Sequence, residues 1–160
     1  MTTTAPTTAP TTAPTTAPTT NGRVIALAHY SARALLEGVL TRHGATFEQS
    51  VTLRAVVTAG DSVDRDALVS DVIGSLKADE SVVRGVIDGL TATKLLEQDP
   101  AEASRLRVTD AGRELYETTT TETAEISARL YAGIPAEDLA VAGRVLTLLT
   151  ERANAELAGS

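Results

Sequence analysis

From residue 22 onward apolar residues recur at helical spacing, and that pattern breaks only between Leu95 and Val108. Val24, Leu27, Ser31, Leu35 and Val39 mark a long first helix that ends near His43-Gly44. Thr46 caps a second, with Gln49 three residues on completing a capping box, and Gly60 stops it. Ser62 or Asp64 opens a third, with Leu68, Val72 and Leu76 on one face. Ser81 to about Ala92 forms a fourth, whose apolar stripe reads Val82, Val83, Val86, Ile87 and Leu90. Then Leu95-Leu96 reads as a short strand, Asp99-Pro100 as a turn and Leu106-Arg107-Val108 as a return strand. Thr109 caps a long helix carrying Leu115, Ile126 and Leu130. Pro135 suits the first turn of a last helix with Leu139, Leu146, Leu149 and Ala153 as its apolar positions.

Helices followed by one small hairpin make a mainly α chain of winged helix-turn-helix type. In that arrangement the helix before the hairpin enters a major groove while the hairpin reaches the neighbouring backbone. Long helices on both sides exceed what one such domain can bury, so their simplest use is pairing with a second copy. The organisation read from the sequence is a tail over 1–21, a dimerisation helix over 22–45, a winged-helix domain over 46–108 and dimerisation helices over 109–160. The tail holds four tandem Thr-Thr-Ala-Pro copies from Thr3 to Pro18, where a proline every fourth residue forbids a helix and no apolar face exists to bury. It is expected to be a disordered spacer, with a docking or modification segment as the alternative.

Composition narrows the function. With three Tyr, one Phe and no Trp, the core must be aliphatic, which suits packed helices. The absence of cysteine removes disulfides, thiolate chemistry and Cys-based zinc sites, and two histidines offer no metal-ligand spacing. No nucleophile-elbow pattern surrounds the serines and no glycine loop is built to cradle phosphate. The reading is therefore a non-enzyme with no cofactor and no metal. No apolar run approaches the roughly 18 residues that span a bilayer, and no signal pattern opens the chain, so a cytoplasmic location is expected. A net charge of −7 runs against the basic footprint usual for nucleic-acid binders, so local distribution must decide.

Val108-Thr109-Asp110-Ala111-Gly112-Arg113-Glu114-Leu115-Tyr116 resembles the segment that leaves the wing and opens the dimerisation helix in the MarR family of bacterial transcriptional regulators. Gln49 through Val56 is similar to that family's second helix and Ser81 through Leu90 to its recognition helix, so the resemblance covers 22–158. Physics accounts for the first stretch independently: Thr109 caps, Asp110 complements the dipole, and Gly112 allows close backbone packing. Four features depart from the pattern. Ser50 stands where a large aromatic is common. Ile73 to Asp79 reads about three residues longer than the usual turn. Lys94 replaces a glycine and must take the left-handed cap. The wing reads Pro100 to Arg107 in place of an Asp-Arg-Arg cluster.

The resemblance implies a homodimer on double-stranded DNA, with Ser81, Arg84 and Lys94 on the recognition helix and Arg105 and Arg107 on the wing as contacts. Arg84 suits a guanine edge or a phosphate, and Ser81 with the helix amino end suits a phosphate. Between Asp79 and Lys94, however, three carboxylates face two cations, a net of −1. His29, Arg33 and Glu37 fall at i, i+4 and i+8 with Tyr30 beside them, and with Arg54 they imply a pocket for a small phenolic or anionic effector. The same residues also fit a plain row of surface pairs. A second class of function stays open, a winged-helix protein without DNA binding that acts as a ligand-binding module or enzyme through the His29, Tyr30 and Arg33 face. Gly85 and Gly89, each costing the helix about 1 kcal/mol relative to Ala, are expected to permit close packing.

Overall fold

The computed structural model describes residues 19–159, so the Thr-Thr-Ala-Pro repeats lie outside the described residues. In chain order the elements are α1 (Gly22–Arg42), α2 (Phe47–Thr58), β1 (Ser62–Asp64), α3 (Arg65–Leu76), α4 (Glu80–Ala92), β2 (Leu96–Gln98), β3 (Arg105–Val108), α5 (Asp110–Tyr131) and α6 (Ala136–Ala158). The chain forms two units, one up to Ala34 and one from Leu35 onward, with α1 running through the boundary.

In the first unit Asn21 starts α1, its Oδ1 accepting from the Arg23 and Val24 amides at 3.0 and 3.1 Å. Leu27 and Tyr30 are exposed there, and the His29 and Tyr30 rings meet edge to face at 5.4 Å.

The second unit is built around one aliphatic core. Leu53 and Val56 of α2, Leu68, Val69 and Val72 of α3, and Val83, Ile87 and Leu90 of α4 close over Leu96 of β2 and Leu106 of β3. The capping box of α2 is present, with Gln49 N donating to Thr46 Oγ1 and Thr46 N to Gln49 Oε1. Asp64, the nearer match of the two residues proposed to open α3, accepts from the Asp66 and Ala67 amides. Ser62 instead begins β1, a strand absent from the sequence reading. Three residues are too short a run to give a local strand signal, and β1 exists because β3 pairs with it, Val63 opposite Leu106. The sheet is antiparallel in the order β1-β3-β2, one strand more than a hairpin.

The stretch Ile73 to Asp79 divides in the structure: α3 continues to Leu76, and Lys77, left-handed at φ 53°, opens the link to α4. Two further expectations are corrected. Val82 does not join the core stripe and is half exposed. Gly85 and Gly89 do not serve packing within the chain, since a Cβ at either would meet no atom within 4 Å. Two expectations hold. Lys94 takes the left-handed cap at φ 62°, and at Gly112 a Cβ would stand 2.1 Å from the Leu95 carbonyl oxygen.

Candidate nucleic-acid interface

The site begins with how α4 is held. Burial of Val83, Ile87 and Leu90 fixes its rotation, and Ser81, Val82, Gly85 and Asp88 are left on exposed positions. Its N-cap, Asp79, makes no side-chain cap bond, so the amino end of α4 is not closed by its own residue. Arg84 lies at the margin of this face. Its Nε donates to Glu80 Oε1 at 2.7 Å and its Nη2 to Asp66 Oδ1 at 3.4 Å. These two carboxylates hold the guanidinium above its ordinary pKa, the Glu80 hydrogen bond first. Asp66 reaches Arg84 because the Asp64 cap fixes the first turn of α3. From that turn Arg65 pairs with Asp88 at 2.5 Å.

The wing is tied back to this corner. The Arg65 amide donates to the Ser104 carbonyl at 3.0 Å. Arg105 turns onto β1, donating from Nε to Ser62 Oγ at 3.1 Å and from Nη2 to the Ser62 carbonyl at 2.6 Å. Ser62 Oγ in turn donates to Asp99 at 2.7 Å, and the Ala101 amide donates to the same carboxylate. Those bonds, Ser62 first, pull the Asp99 pKa below the ordinary carboxylate value. Arg107 pairs with Glu97 across the β2–β3 ladder at 2.5 Å. Lys94 is exposed at the end of α4, beside Glu97 and Arg107 on a cavity of about 380 Å³. The structure thus places all five sequence-chosen residues on α4, the turn after it and β3. It also assigns carboxylate or hydroxyl partners to the three arginines. Asp66, Asp88 and Ser62 were missed because their pairing joins residues 18 to 43 positions apart, which no local spacing displays.

Arg54 lines a separate open cavity of about 300 Å³ with Leu36, Ser50, Tyr116, Thr119, Thr120 and Thr123. The small side chain at Ser50 leaves this space where a larger one would fill it. Thr119 and Thr123 spend their hydroxyl protons on backbone carbonyls one turn back, at 2.8 and 2.7 Å. Among the described residues no carboxylate lines the cavity, and Arg54 is the charged side chain on its wall. His29, Tyr30 and Arg33 stand in the first unit. His43, just past the end of α1, meets Glu122 of α5 at 2.6 Å, as does Arg42. Arg42, then His43, pull the Glu122 pKa down. Among the described residues no cluster of His, Cys, Asp and Glu is placed to hold a metal, and no helix is long and apolar enough to cross a membrane.

Three helices, α2 to α4, closed by a three-stranded wing, with the long α1 before and α5 and α6 after, define a winged helix-turn-helix protein. The fold is that of the MarR family of transcriptional regulators. A *Bordetella bronchiseptica* regulator, BpsR, whose DNA binding is regulated by 6-hydroxynicotinic acid, is similar at 25% identity and TM-score 0.64, over 81% of this chain and 97% of that one. MepR of *S. aureus*, solved with DNA, is similar in fold at 18% identity and TM-score 0.68, over 84% and 96%. CouR of *Rhodococcus jostii* RHA1, solved with p-coumaroyl-CoA, gives 17% and 0.69, over 81% and 90%. No family model matches the chain, and no curated protein does.

Proposed function

We propose that this chain is a homodimeric, double-stranded-DNA-binding transcriptional regulator that answers to a small molecule, and not an enzyme. The observation that carries the reading is the open face of α4, held outward by Val83, Ile87 and Leu90 and flanked by the wing. The solved neighbours that hold DNA or a small-molecule effector support it. The winged-helix domain is residues 46–108, and 22–45 and 109–160 carry dimerisation. Ser81 and the uncapped end of α4 receive a phosphate. Arg84 reaches a base edge or phosphate, and half-exposed Val82 suits a thymine methyl. Lys94, Arg105 and Arg107 lie toward the flanking backbone, the two wing arginines after release from their present partners.

The effector enters the Arg54 cavity. Arg54 and the hydroxyl-rich wall suit a small anionic or phenolic molecule, and His29, Tyr30 and Arg33 are assigned to effector binding on chemistry alone. The protein works in the cytoplasm, where its DNA is. The test is binding of the purified protein to labelled DNA from upstream of its own gene across a salt series. Sequence-selective binding that weakens with salt, and falls at least tenfold with Arg84→Ala, is expected. Absence of binding at low salt sinks the reading.

A further inference from the structure

We propose that Asp66 and Glu80, which hold Arg84, and Asp88, which holds the neighbouring Arg65 at the same corner, are built-in competitors for guanidinium groups on the DNA-facing side of α4, and that they set how strongly the protein separates its own site from other DNA. The inference rests on the DNA-binding reading above and concerns how that binding is tuned.

Glu80, Arg84 and Asp88 stand one turn apart along α4, and the first turn of α3 brings Arg65 and Asp66 against the same stripe. The result is two interlocked bridges of opposite polarity, Asp66 of α3 to Arg84 of α4 and Arg65 of α3 to Asp88 of α4, with Glu80 as a second carboxylate on Arg84. All three carboxylates stay in water, with side-chain exposures of 83% for Asp66, 59% for Glu80 and 68% for Asp88. Such exposed pairs contribute little to folding and exchange partners readily. The wing adds no free cation to offset them: its tip from Asp99 to Ser104 carries Asp99 and Glu102 and no basic residue, and Arg105 is drawn back onto Ser62.

Sequence-independent affinity comes from cations that replace counterions on phosphates. An arginine that already holds a tethered carboxylate gains less from a phosphate, and brings a negative charge towards the backbone with it. That penalty falls on every sequence. A guanine edge that accepts both N–H groups of one guanidinium repays it only where the correct base is present. Carboxylates placed this way therefore lower binding to arbitrary DNA more than binding to the chosen site.

The experiment measures fluorescence anisotropy of the full chain with two labelled duplexes, one of arbitrary sequence and one selected by the wild-type protein from a random pool. Glu80→Gln, Asp66→Asn and Asp88→Asn, singly and together, are compared with Glu137→Gln on α6, which removes the same formal charge. Each of the three is expected to tighten binding to the arbitrary duplex by about three- to tenfold, and the triple variant to steepen the log–log salt dependence by about one to two. The ratio of selected to arbitrary affinity falls. In an Arg84→Ala background most of the gain from Glu80→Gln disappears. Thermal melts fix a temperature at which every variant is folded, and if one variant fails to fold the other two carry the test. Selective binding by the wild type with no gain over Glu137→Gln in the variants overturns the inference alone. Failure of wild type and triple variant to bind either duplex overturns the DNA-binding reading, and this inference with it.

Discussion

At the scale of single residues, the glycines of this chain have opposite meanings. Gly112 sits where the first turn of α5 passes the end of α4. A methyl group there would overlap the Leu95 carbonyl oxygen at 2.1 Å and crowd Val108 at 2.9 Å. Neither neighbour is free to retreat, since the Leu95 carbonyl already accepts the Thr109 amide and Thr109 Oγ1 donates to the Lys94 carbonyl at 2.7 Å. Gly112→Ala is expected to lower stability by roughly 2–4 kcal/mol in urea unfolding, through forced displacement of backbone. Gly85 is the reverse case, with open space where its Cβ would be. Gly85→Ala should raise stability by up to about 1 kcal/mol, because alanine is the better helix former. If α4 lies close in a groove, the same change weakens DNA binding; unchanged affinity in the anisotropy assay would remove Gly85 from the interface.

Elements here are fixed at their ends as much as along their faces. The tie from α1 to α5 is a carboxylate, Glu122, that receives Arg42 Nη2 and His43 Nε2 at 2.6 Å each. Both hydrogen bonds favour the ionised carboxylate and depress its pKa. A depressed carboxylate contributes stability that is present above its unfolded-state value and is lost as pH falls through the folded-state value. Glu122→Gln should therefore lower the urea midpoint at pH 7, and the gap from wild type should close as pH falls below about 4.5. A gap that is independent of pH would mean that Glu122 acts through packing alone. The wing follows the same logic, since Arg105 and Asp99 converge on Ser62 and hold β1, a strand of three residues, to its neighbour.

For the whole molecule, α6 is the element that the single chain leaves unexplained. None of its 23 residues is buried, although Val141, Val145, Leu146, Leu148, Leu149 and Leu157 lie along it. An apolar helix of that length without cover is a surface for a partner, and a second copy supplies the same residues in return. Leu146→Glu with Leu149→Glu should convert dimer to monomer in sedimentation equilibrium at micromolar concentration, and DNA affinity should drop with it because paired half-sites are lost. A dimer unchanged by both substitutions would place the interface elsewhere.

Local chemistry was sufficient for much of this protein. The Thr46–Gln49 capping box, the Thr109 cap and the left-handed turn at Lys94 depend on residues near one another in the chain, and each was legible in the sequence. So was the order of helices around one hairpin, because an apolar period of 3.6 reports which face of a helix turns inward. The tertiary structure decided what depends on distant partners. It made β1 from a run too short to show a strand pattern and turned Val82 outward. It found nothing packed on Gly85 and Gly89, and it put Asp66, Asp88 and Ser62 beside arginines far along the chain. It also gave Arg54 a hydroxyl-lined cavity to face. The physical reason is the range of the interactions: capping and periodicity act within a turn or two of chain, whereas strand pairing, ion pairing and cavity shape exist only once separate segments have met.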